Sequence, residues 1–158
     1  MQEMNKNTHE CVRETILELL NRHNTITLAT SRDDTPFAAS LFYANDGLTI
    51  YFISSPKSDH SINLSRNPNV AITINKDHSE WRTIKGLQIK GKAYRVPEEE
   101  LPKAIKAYSE KHPFVKLFFG DSGFSSRIED VRFFKVIPET IRLIDNGVAF
   151  GYKVEIRL

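Results

Sequence analysis

Thr25-Ile26-Thr27-Leu28-Ala29-Thr30, and the run from Phe37 to Ser54 that follows it, decide the fold. The first six residues alternate polar and apolar, the period of a half-buried strand. Ser31-Arg32-Asp33-Asp34-Thr35-Pro36 is turn chemistry. Phe37 to Ala44 reads as a second strand. Asn45-Asp46-Gly47 supplies the residue types that tolerate the positive φ of a hairpin turn. Leu48 to Ser54 is a third strand, rich in β-branched and aromatic residues. Three strands joined by short turns predict an antiparallel meander.

Upstream, residues 8–23 read as an amphipathic helix. Val12, Ile16, Leu19 and Leu20 share one stripe, and Asn7 or Thr8 is the expected cap. Downstream, Ser58 is placed to cap a short helix reaching about Arg66, with Ile62 as its clearest apolar anchor and Leu64 nearby. Val70 to Ile74 is a fourth strand. A long strand follows from about Trp81 to Val96, expected to bend or bulge at Gly86 and Gly91. Glu98 to Lys111 is a helix whose Pro102 fits only in the first turn. Phe114, Leu117 and Phe118 suggest a further turn or two of helix. Val131 to Ile137 and Thr140 to Ile144 read as strands separated by a turn at Pro138-Glu139. Asn146-Gly147 is a strong hairpin signal, after which Val148, Phe150, Tyr152, Val154, Ile156 and Leu158 alternate.

These elements predict an α+β protein, an antiparallel barrel of six to seven strands with flanking helices. The expected organisation is one domain over residues 1–158. It comprises the helix 8–23, a barrel core 25–96, a helical insertion 98–126 and C-terminal strands 131–158. The composition, 40% apolar and 27% charged, supports a core. Lys plus Arg number 22 against 20 Asp plus Glu, a balance that argues against a nucleic-acid partner. Cys11 is the single cysteine, which excludes an intrachain disulfide and a multi-cysteine zinc site. No leader-like or membrane-length apolar run is seen, so no membrane partner is expected and the expected location is cytoplasmic.

Chemistry concentrates in Phe52-Ile53-Ser54-Ser55-Pro56-Lys57-Ser58-Asp59-His60-Ser61. A strand runs into a hydroxyl- and cation-bearing loop and then a helix start, an arrangement that suits a phosphate. The plainer alternative is a capped helix with solvated polar residues. Trp81, the only tryptophan, is of a type that stacks on planar ligands, or else packs in a core or interface. Six of the ten phenylalanines lie between residues 114 and 134, where they line an apolar pocket or simply pack. Tyr94 and Tyr108 are read as packing residues, and His23, His78 and His112 as solvated. No nucleotide-binding glycine loop and no metal-ligand cluster is evident.

Taken in order, Ala29-Thr30, Pro36, Leu41-Phe42-Tyr43, Asp46-Gly47, Phe52-Ile53-Ser54, Lys57-Ser58, Asn67-Pro68, Val70 and Gly91 resemble the FMN-binding split barrels. These are the pyridoxamine 5′-phosphate oxidase-like proteins, and the tail looks most like the small bacterial YhbP-type branch. The resemblance covers residues 8–96 well and the rest loosely. It implies a homodimer with FMN in clefts between the two copies. It implies that Ala39, Ser40, Leu41 and Phe42 lay their backbone along the flavin, and that Ile53 and Ser54 reach its ring and phosphate. The family's phosphate-gripping Ser-Arg-Lys triplet corresponds to Ser58-Asp59-His60 here, with Lys57 placed to replace the lost charge. Gln88, three residues before Gly91, is a candidate for the flavin edge, as is Trp81 for stacking. The implied function is an FMN-dependent oxidoreductase, with a small-molecule substrate or an electron-transfer partner and no assigned catalytic residue. The alternative is a flavin- or haem-holding module without turnover.

Overall fold

The computed structural model describes residues 6–115 and 130–158, with side chains from His9 onward. Helix α1 (Lys6–Arg22) is followed by strands β1 (Thr25–Arg32), β2 (Thr35–Asp46) and β3 (Thr49–Ser54). Helix α2 (Asp59–Leu64) leads to β4 (Asn69–Asn75) and β5 (Lys85–Arg95). Helix α3 (Leu101–Lys111) precedes β6 (Arg132–Asp145) and β7 (Lys153–Arg157). All pairings are antiparallel, in the order β3-β2-β1-β4-β5-β6-β7, and a further pairing of β3 with β6 closes six strands into a barrel. β7 is an addition on the second half of β6.

The stripe Val12, Ile16, Leu19 and Leu20 is buried as its spacing predicts. It joins one core with the inward residues of the strands, among them Ile26, Leu28, Ile50, Ile72, Ile89 and Val136. A smaller cluster lies under α3, where Ala44 and Tyr51 meet Ala104, Tyr108 and Phe133. Thus α1 lays its apolar stripe on the barrel core with its other face exposed, while α3 covers the outer face of β2 and β3. Among the described residues no helix is long and apolar enough to cross a membrane.

Several expectations need correction. Pro138-Glu139 is not a turn, because β6 runs unbroken through it. The irregularity is a register shift opposite it, between Lys90 and Gly91. A Cβ at Gly91 would collide with the Ile137 carbonyl and stand 2.9 Å from Pro138 Cα, so the two backbones approach as only glycine permits. The long strand starts at Lys85 rather than Trp81, since residues 81–83 form a 3₁₀ turn capped by Glu80. Asn146-Gly147 opens a longer loop rather than a two-residue hairpin. There the Gly151 amide donates to Asn146 Oδ1, and Val148 and Phe150 are exposed outside any strand. On α2 the apolar anchor is Leu64, because Ile62 is exposed. Tyr94 is exposed as well, whereas Tyr108 is buried. Pro102 does sit in the first turn of α3. Neither Asn7 nor Thr8 caps α1, because the helix already begins at Lys6 and both lie within it. Leu117, Phe118, Phe119 and Phe124 lie outside the described residues.

Candidate functional site

β2 and β3 pair only near their shared turn, from Asp46↔Thr49 to Tyr43↔Phe52. Beyond Tyr43 they part. β2 continues from Phe42 to Thr35 against β1, and β3 continues through Ile53 and Ser54 against β6. Among the described residues, the other edge of residues 35–42 has no strand partner. This is the split in the barrel. One bank carries Ala39, Ser40, Leu41 and Phe42, and the other carries Ile53 and Ser54. Ser40 and Phe42 are exposed, while Ala39, Leu41, Ile53 and Ser54 are half-buried.

Helix α2 enters beside the split and packs mainly on β1 and β2. Asn63 Nδ2 donates to Thr30 Oγ1 at 3.0 Å, and Asn67 Nδ2 to Ser31 Oγ at 3.0 Å, which ties the helix to β1. Ser58 caps α2 by accepting the Ser61 N–H at 3.4 Å. Its hydroxyl also lies 2.9 Å from the Ser55 carbonyl, 2.8 Å from Ser61 Oγ and 2.9 Å from Ser54 Oγ. Ser54 Oγ in turn lies 2.6 Å from His60 Nε2. The loop therefore presents a connected set of hydroxyls ending on an imidazole.

That imidazole is not on the surface. His60 is 7% exposed, stacked against Phe37 at 6.5 Å and set edgewise to Phe52 at 6.3 Å. Burial lowers its pKa, and the Asp59 carboxylate opposes this only partly, so the ring is neutral at neutral pH. His60 holds Ser54 and offers no cation to a ligand. Lys57 and Asp59 are both exposed in this segment, and the Lys57 N–H donates to Ser55 Oγ at 3.2 Å.

Gln88 and Trp81 lie elsewhere in the chain. Gln88 is exposed on β5 between Thr73 and Arg142, accepting from Arg142 Nη1 at 3.4 Å. Trp81 is 43% exposed, edge-on to Phe150 at 5.3 Å, with the Arg82 guanidinium 4.5 Å from its ring centre. Within one chain neither residue is on a bank of the split.

The sequence reading missed a clamp from α3. His112 is buried rather than solvated, and its Nε2 donates to the Tyr43 carbonyl at 2.6 Å. Tyr108 Oη donates to the Phe42 carbonyl at 3.4 Å. Phe42 packs edgewise on both His112 and Phe114, each at 5.4 Å. Burial lowers the His112 pKa against the opposing pull of the Tyr43 carbonyl, and the Lys111 charge lowers it further. The available signal was the i, i+4 spacing of Tyr108 and His112, which places both on one helix face. His23 is half-buried with its pKa lowered, first by burial and then by Arg22. His78 Nδ1 lies 3.0 Å from Thr83 Oγ1.

The family model for pyridoxamine 5′-phosphate oxidase matches residues 12–145, a span that includes both banks and the serine loop. The chain belongs to the pyridoxamine 5′-phosphate oxidase family. It is similar to a UPF0306 protein of Klebsiella pneumoniae, 26% identical over 140 residues that cover 87% of this chain and 88% of the relative. It is likewise 26% identical to UPF0306 protein YhbP of Escherichia coli O157:H7, over 85% of this chain and 86% of that one. A Listeria innocua structure provisionally named a pyridoxamine 5′-phosphate oxidase superposes with a TM-score of 0.68 at 25% identity, covering 85% of this chain and 98% of that one. The fold is also that of a haem-binding protein from Mycobacterium smegmatis, with a TM-score of 0.71 at 22% identity. That match covers 92% of this chain and 56% of the mycobacterial one.

Proposed function

We propose that this protein is an FMN-dependent oxidoreductase of the pyridoxamine 5′-phosphate oxidase-like type, holding its flavin between two copies of the chain. The observation that carries this is the split itself. The unpaired edge of β2 and the end of β3 put Ala39–Phe42 opposite Ile53 and Ser54, with the serine hydroxyls at one end. Exposed backbone donors and acceptors and the half-exposed Phe42 suit a planar polar ring. The hydroxyls of Ser54 and Ser58, with the Lys57 ammonium, suit a phosphate. His60 does not fit that second role, because its Nε2 is engaged by Ser54 and its ring is neutral.

Bound FMN would supply the hydride and electron chemistry. This chain's residues would hold the ring against the β2 edge, fix the phosphate through oriented hydroxyls and keep Phe42 in place through the α3 clamp. Gln88 and Trp81 reach a flavin only across an interface, so their assignment and the homodimer stand together.

The test is an FMN titration followed by desalting and an absorption spectrum, with light scattering on the same sample. Retained flavin bands in a dimer support the proposal. A monomer that retains no flavin overturns it. One observation favours a second reading, a flavin- or haem-holding module without turnover. The replacement of the family's Arg-Lys by an exposed acid and a buried neutral imidazole weakens the phosphate grip. Reduction of bound flavin by a nicotinamide cofactor, with turnover, distinguishes the two.

A further inference from the structure

The serine loop has few protons to share, and that fixes the direction of its hydrogen bonds. Ser58 carries a single hydroxyl proton, and two acceptors already compete for it, the Ser55 carbonyl at 2.9 Å and Ser61 Oγ at 2.8 Å. In the 2.9 Å contact between Ser58 and Ser54, Ser58 therefore accepts and Ser54 donates. That spends the proton of Ser54. At the other contact of Ser54, 2.6 Å from the imidazole, the proton comes from His60 Nε2. The ring is thus the Nε2–H tautomer. Among the described residues no acceptor is hydrogen-bonded to Nδ1, Asp59 included, so no protein group draws the proton to that side. Phe37 and Phe52, with ring centres at 6.5 and 6.3 Å, flank the imidazole and keep its Nε2 edge toward Ser54.

We propose that His60 is a positioning residue for the phosphate end of the flavin site, on the reading of the serine loop as that end. By donating from Nε2 to Ser54, it leaves the Ser54 proton free to turn from Ser58 to a phosphate oxygen. The turn exchanges a neutral acceptor for a charged one, which favours it. With the ring proton on Nδ1 instead, Nε2 would take the Ser54 proton, and Ser54 would face a phosphate with lone pairs alone. His60 thus contributes by orientation what the family's Arg-Lys contributes by charge, with the exposed Lys57 as the cation of the loop. The oriented hydroxyl is a specificity device, because it favours a phosphorylated flavin over an unphosphorylated one.

Nitrogen NMR of isotope-labelled histidine, on the full chain without flavin at neutral pH, tests the tautomer. The His60 signals are those missing from the spectrum of His60→Gln. Nε2 should show the shift of a protonated ring nitrogen, and Nδ1 that of an unprotonated one. The reverse pattern overturns the assignment of His60 and leaves the phosphate reading of the loop standing. Fluorescence titrations with FMN and with riboflavin test the consequence, since the ratio of the two dissociation constants cancels effects on the flavin ring. His60→Gln keeps an N–H donor near the Nε2 position, so the preference for FMN should stay within about twofold of wild type. His60→Leu fills the space without a donor, and the preference should fall about tenfold, the ratio for one lost hydrogen bond to a charged group. Equal preference in the two variants overturns the role of His60. The wild-type spectrum decides even where His60→Leu does not fold. A wild type that binds FMN no more tightly than riboflavin overturns the phosphate reading itself, and with it this role, whichever tautomer is found.

Discussion

The two sides of this barrel are built differently. On one side β5 and β6 stay paired from Lys85↔Asp145 to Arg95↔Phe134, and the irregularity at Gly91 is absorbed without a break. On the other side β2 and β3 separate after Tyr43↔Phe52, and the gap is edged by exposed backbone and serine hydroxyls. The first side holds its strands by hydrogen bonds and close backbone contact. On the second, β2 and β3 keep their ladders to β1 and β6, and helix side chains add ties from outside the sheet: Asn63 of α2 to β1, and Tyr108 and His112 at the end of α3 to β2. A small barrel can concentrate stability on one wall and leave polar groups uncommitted on the other.

Substitutions should separate the two sides, and the largest loss belongs where they meet. Phe52 is fully buried and stacked on Phe134 at 5.0 Å, so Phe52→Ala should cost about 3–5 kcal/mol in denaturant unfolding. On the closed side, Gly91→Ala should cost about 2–3 kcal/mol because the Ile137–Pro138 backbone must move. FMN affinity per folded molecule should be unchanged by it. A loss of affinity in Gly91→Ala without a loss of stability would dissolve the contrast. On the split side, Ser54→Ala and Ser58→Ala should each lower stability by about 1 kcal/mol. Each should weaken FMN about tenfold in a fluorescence titration, the ratio that one lost hydrogen bond to a charged group gives.

Acid should act through the two buried imidazoles. Both His60 and His112 have pKa values lowered from 6.5 in the fold, so below that value the unfolded chain takes up protons first. Their contribution is intact above about pH 6.5 and is lost as pH falls through the folded pKa values. The urea midpoint should therefore fall on acidification, and His60→Gln or His112→Gln should flatten that fall. A fall of undiminished steepness in both variants would assign it to other groups. Smallest of all, Phe150→Ser should change stability by less than about 0.5 kcal/mol, because Phe150 is 82% exposed.

The periodic elements were legible in the sequence. The Val12–Leu20 stripe, the alternation from Thr25 and the Ser58 cap are each specified within a few residues, by burial or by a local hydrogen bond. Pro138-Glu139 misled because proline between two apolar runs normally marks a turn. Here its missing N–H coincides with a register shift whose cause, Gly91, lies far away in sequence. Val148 and Phe150 misled because alternation shows period and not burial. In the site, the banks were legible by resemblance, since backbone exposure follows from strand order. The inward turn of His60 and the grip of His112 on Tyr43 were not. Both depend on which aromatic rings surround the imidazole, and that is fixed only once β2, β3 and α3 have packed.

An unpaired, partly apolar strand edge is also a colloidal hazard. Among the described residues, the outer edge of 35–41 has no strand partner and lies beside Phe37 and Phe42, a template on which another extended chain can add. Pro36, without an N–H, interrupts that template near one end, but nothing of the kind protects Ala38 to Phe42. Whatever covers the edge thus keeps the protein dispersed at working concentration as well as equipping it for chemistry. Preparations with the edge uncovered should be the first to turn cloudy on warming.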